Sequence, residues 1–222
     1  MAFFVLITFI LAELYTQFDY PMRLILIAFI TSLLLSCQSQ SSSSSKTVEE
    51  KQPEESQDSL TVRKATIDNL RMTKYLVGKV YAKVPHVESP IEVLNLEWPN
   101  EIEEVYNIWL DTNKSIVCIG SYPYSPTGDW DLGLTHYFKP NGKTFAFEKL
   151  TSFYNSRCTE GLAIEQNLIY YNNDFHAIDS LYVLTDAKAN PLEKDSCTFP
   201  YTFDYSVYGS HEKLLKVLKI SL

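Results

Sequence analysis

An α+β domain, a mostly antiparallel β meander with one or two helices, is the architecture expected of residues 61–222. Three observations point there. Apolar residues alternate with period two over much of 105–185, as in half-buried strands. Turn-forming clusters separate those runs at short intervals. The chain carries 15 Tyr and 12 Phe, residue types that suit a pleated surface. A stretch of about 160 residues can also bury a substantial single core without staples.

Val62–Val77 places Ile67, Leu70, Lys74 and Val77 at helical spacing and reads as a helix. Pro85, Pro90 and Pro99 break the next segment. Val105–Leu110 and Ser115–Ser121 read as strands around the turn Asp111-Thr112-Asn113-Lys114. Asn141-Gly142, between Gly133–Lys139 and Lys143–Leu150, suits a two-residue type I′ turn. Its register sets Phe138 against Phe145, His136 against Phe147 and Leu134 against Lys149. Tyr137 then faces Ala146, and Thr135 faces Glu148. The first set is expected on the core, the second on a wet face. Leu162–Tyr171 and Ala177–Thr185 form a further hairpin around Asn172-Asn173-Asp174. His211–Lys219 closes the chain as a helix, with Leu214, Leu215 and Leu218 on one face. Trp98 and Trp109 are expected in the core.

Charge excludes one class of partner. The whole chain carries a net charge of -8, and residues 61–222 hold 16 Lys+Arg against 20 Asp+Glu, a net of -4. Phosphate binding needs clustered cations, so no nucleic acid partner is expected. Seven Gly and four Cys also exclude collagen-like and disulfide-dense classes.

The N-terminal 36 residues read as an address. Met1–Ala12 and Leu24–Leu35 are apolar, but about 12 helical residues reach only about 18 Å, short of a hydrocarbon core of about 30 Å. Met22-Arg23, the apolar run and Leu34-Leu35-Ser36-Cys37 together resemble the signal and lipobox of a Gram-negative bacterial lipoprotein. The resemblance covers residues 22–37. It implies a signal peptide over 1–36, with Met22 the expected true start, and lipidation of Cys37. The thiol would be diacylated and the amine usually acylated, palmitate-type chains that hold stably when two or more are present. Leu35 is bulkier than the usual residue there. Gln38, where Asp would signal inner-membrane retention, points to the outer membrane.

Residues 37–60 are the lipidated Cys and a tether, expected to be disordered. Ser41–Ser45 is unbroken and Val48 is the only aliphatic residue of Ser39–Ser59, too little to offset the entropy of ordering.

Three sets of residues bear on chemistry. With Cys37 removed, Cys118, Cys158 and Cys197 remain. Cys158 and Cys197 lie in turn-like contexts and are the expected disulfide; Cys118 lies in an apolar strand. His86, His136, His176 and His211 are scattered, and His136 is expected as a buried, hydrogen-bonded core residue. No nucleophile stands at motif spacing from a base, so no catalytic residue, metal or cofactor is assigned. The segment Ser121–Asp131 joins two strands and concentrates Tyr122, Tyr124, Asp129, Trp130 and Asp131. Flat aromatic faces and carboxylates suit a glycan or a peptide. The expected role is a non-catalytic binding or structural module, anchored by lipid to the envelope, for a protein or glycan partner. The alternatives are an envelope hydrolase assembled from distant residues and a toxin-neutralising immunity lipoprotein.

Overall fold

The computed structural model describes residues 56–73, 75–199 and 203–222. The address segment and Cys37 lie outside the described residues. Helix α1 (Gln57–Met72) leads into eight strands: β1 (Val77–Lys83), β2 (Ile91–Glu92), β3 (Glu104–Leu110), β4 (Ile116–Pro123), β5 (Trp130–Phe138), β6 (Thr144–Phe153), β7 (Ala163–Tyr171) and β8 (Ala177–Asp186). Helix α2 (His211–Leu218) ends the domain. The strands form one sheet in the order β2-β1-β3-β4-β5-β6-β7-β8, and every pairing is antiparallel. The α+β meander is therefore the observed fold.

Four hairpin turns repeat one geometry. In Asp111–Ser115, Lys139–Lys143, Asn172–His176 and Asp186–Asn190 the first residue accepts from the N–H three positions on and donates to the carbonyl four positions on. The fourth residue, Lys114, Gly142, Phe175 or Ala189, has φ between 61 and 80°. This is a three-residue loop ending in a left-handed residue. In three of the turns the leading Asp or Asn side chain also accepts the N–H groups two and four positions on. The type I′ expectation at Asn141-Gly142 is thereby corrected. Pro140 occupies the first loop position and Asn141 keeps negative φ, so only Gly142 is left-handed. A Cβ on Gly142 would also stand 2.5 Å from Nε2 of His211.

The expected β5–β6 register holds from Leu134↔Lys149 to Tyr137↔Ala146, but a bulge between Tyr137 and Phe138 pairs Phe138 with Thr144. Phe145 consequently joins Ala146 and Tyr137 in the cluster under α1.

The central strands are covered on both faces, so Tyr137 and Ala146, expected on a wet face, are buried. On one face α1 seats Leu60 and Ile67 against Cys118, Tyr137, Phe145, Ala146, Leu168 and Tyr170. On the other, α2 packs Leu214 against Ile108, Ile119 and Phe138, while Phe203 and Val207 of the preceding strap cover Leu134, Phe147 and Tyr171. Thr144 binds the strap twice, its N–H donating to the Gly209 carbonyl and its hydroxyl to that of Tyr208.

Helix α1 begins at Gln57, capped by Ser56, inside the stretch assigned to the tether and five residues ahead of the expected start. Its inward stripe is Leu60, Lys64, Ile67 and Arg71 rather than the expected Ile67, Leu70, Lys74 and Val77; Lys74 lies outside the described residues. Val77 instead opens β1. Trp109 packs against the α1 cluster, with the Arg71 guanidinium 4.1 Å over its ring. Trp98 is 46% exposed, against the core position expected of it.

Candidate functional site

An open concavity forms where α1 stops short of covering its own face of the sheet. Its floor is Tyr122, whose ring lies flat because two neighbouring strands offer glycine. A Cβ on Gly120 would come within 2.5 Å of the Tyr122 hydroxyl oxygen, and one on Gly133 within 3.2 Å of its ring. Arg71 fixes the far end of the ring, donating to the hydroxyl at 3.4 Å.

The wall is the connection 124–129, pinned at both ends. The Tyr124 N–H donates to the Glu103 carbonyl, prolonging the β3–β4 ladder, and the Tyr154 N–H donates to the Asp129 carbonyl, prolonging β5–β6. Between them the Gly128 N–H donates to both oxygens of Ser125, and Gly128 takes φ of 71°.

The resulting groove has a volume of about 650 Å³, and Tyr122, Tyr124, Trp130 and Asp131 line it together with Glu101 and Ile102. Four of the five residues singled out in Ser121–Asp131 thus share one concavity. Tyr124 is 67% exposed on its rim. Trp130 lines the groove but is half-buried, its side chain packed against the Phe147 and the Phe153 clusters. Asp129 is the exception. It does not line the groove, and its carboxylate accepts the Thr127 hydroxyl.

A second cavity of about 460 Å³ shares Tyr122, Pro123 and Asp131 with the first. It continues along the sheet over Leu132, Leu150, Leu162 and Ile164. Glu101 and Ile102 carry no motif. They become legible only through register: Glu104 pairs with Pro123, so 101 and 102 run on beside the connection 124–126.

Behind this surface a buried polar network seats α1. The Lys64 ammonium lies 2.8 Å from Asp68 and 3.1 Å from Glu148. The Tyr137 hydroxyl lies 2.9 Å from an oxygen of each of those carboxylates. Arg71 donates to Asp68 at 3.2 Å and to Tyr137 at 3.3 Å, and Gln166 donates to Glu148 at 2.6 Å. Two cations meet two carboxylates, so the network is neutral. Burial, then the nearby carboxylates, push the Tyr137 phenol far above its ordinary value.

The remaining candidates lie elsewhere. Cys158 and Cys197 form a disulfide, and Cys197 packs against the Phe153 cluster. Cys118 is buried and free; burial pushes its thiol up to about 12, far from the thiolate state that reactivity requires. His136 accepts the Tyr208 N–H at Nε2, and burial lowers it to about 4. Among the described residues no group of three or more His, Cys, Asp or Glu is placed to hold a metal ion. Among them, too, no helix is long and apolar enough to cross a membrane. Comparison with protein-family models, curated proteins and solved structures finds no match.

Proposed function

We propose that this protein is a lipid-anchored module of the bacterial outer membrane that binds a protein or glycan partner without catalysing a reaction. Its contact surface is the groove of Tyr122, Tyr124, Trp130 and Asp131. The observation that supports this reading is the convergence itself. Residues from two strands and their connection present aromatic faces and a carboxylate to one concavity, on a rigid sheet, with Tyr124 two-thirds exposed. Such a surface binds by stacking and by accepting hydrogen bonds. The anchor rests on the resemblance of Met22–Cys37 to a lipoprotein signal and lipobox.

The test is photo-crosslinking in the native host. A photoreactive phenylalanine analogue is placed at Tyr124 and, as a control, at Val217, which is 53% exposed on α2. A discrete adduct from position 124 and none from 217 is expected. Equal adducts from both, or none from 124, would overturn the assignment.

A further inference from the structure

The charge and shape of the two joined cavities narrow the partner. Glu101 and Asp131 are the carboxylates on their walls, and no Lys, Arg or His lines either cavity. The neighbouring acids are engaged: Glu103 pairs with Lys83, and Glu104 accepts from Tyr106 and Ser121. Glu101 and Asp131 have no ion pair or side-chain hydrogen bond among the described residues. Tyr122 and Tyr124 line the same groove. Aromatic faces beside unpaired carboxylates attract a cation by both its charge and its contact with the ring. An anionic ligand would be repelled.

The second cavity adds a requirement that a sugar does not meet. Leu150, Leu162 and Ile164 make it largely aliphatic, and Leu150 is 47% exposed there. Hydroxyl groups placed against these side chains would lose water without gaining partners, whereas an aliphatic side chain would bury apolar area at no such cost. Asp131 lines both cavities, so the cationic and apolar subsites adjoin along one trough.

We propose that the trough takes an extended peptide segment of a protein partner, with a Lys or Arg at Glu101–Asp131 among the aromatic rings and an apolar side chain over Leu150. This rests on the reading of the groove as the contact surface and selects protein over glycan within it.

The experiment is fluorescence polarisation with the full chain in detergent. The probes are labelled peptides of Gly/Ser background carrying one Lys and one Leu at varied separations. At least one separation binds. Acetylating the Lys, or replacing it by Glu, weakens binding by about tenfold, the size of one partly exposed ion pair plus a cation–π contact. Asp131→Asn abolishes the distinction between Lys and acetyl-lysine while leaving the thermal midpoint unchanged. Leu150→Ser abolishes the preference for Leu. Equal binding of the Lys and acetyl-lysine peptides overturns the inference, as does failure of every peptide to bind. A Tyr124 adduct obtained alongside such a failure leaves the contact surface standing and removes only its peptide chemistry.

Discussion

His136 carries the clearest single-residue consequence. It lies 4% exposed between Phe147 and Tyr208, and its Nε2 accepts the Tyr208 N–H. That hydrogen bond requires the neutral ring. The folded value of about 4 lies below the ordinary 6.5, so on acidification the unfolded chain takes up a proton first. The associated stability is fully present above pH 6.5 and is lost as pH falls toward 4. Its size is on the order of 3 kcal/mol. His136→Gln keeps an acceptor and cannot titrate. Urea denaturation of the two proteins between pH 4 and 7 should show a shallower pH slope for the variant. Parallel slopes would mean that His136 is charged or solvated in the fold. The burial of His136 is readable from its place in the hairpin. Its partner is not, because Tyr208 lies 72 residues away on an irregular strap with no periodicity to read.

Turns and the first helix show how far local pattern reaches. The three leading residues Asp111, Asn172 and Asp186 cap their own loops, so both hairpins read around Asp111–Lys114 and Asn172–Asp174 fall where their turn chemistry puts them. The fourth loop position is left-handed, a conformation that costs a residue with a Cβ about 1–2 kcal/mol. Lys114 is exposed there, and Lys114→Gly should raise stability by about 0.5–1 kcal/mol, read as a higher thermal midpoint; a lower midpoint would contradict the turn geometry. β1 is hard to read because Val-Gly-Lys-Val-Tyr-Ala-Lys alternates weakly. The α1 register is hidden for a different reason. Its inward stripe includes Lys64 and Arg71, and hydrophobic periodicity is blind to charges that are paired after folding. Lys64→Met should therefore destabilise by about 3 kcal/mol, since Glu148 is left buried and short of a cation. Adding Glu148→Gln should recover much of that loss, measured by denaturant midpoint. Full additivity of the two changes would show that the pair is not coupled.

At the scale of the whole molecule, sheet order and face assignment reflect two-sided burial. A meander with one wet face is the simpler reading of β5 and β6. The protein instead packs both faces of the central strands, with α1 on one and the strap and α2 on the other. The groove exists because α1 is too short to cover its whole face. The aromatic and acidic composition of Ser121–Asp131 marks the place in sequence. The depth of the groove comes from Glu101, Ile102, Leu150 and Ile164, which pairing brings in from distant segments. In the function proposed above, the anchor is Cys37. Mass spectrometry of the protein extracted from its native host tests this most directly. The account predicts a mature chain whose first residue is Cys37, carrying two or three acyl chains on its sulfur and amine. A chain beginning upstream of Cys37, or an unmodified peptide spanning Leu35–Gln40, would contradict it.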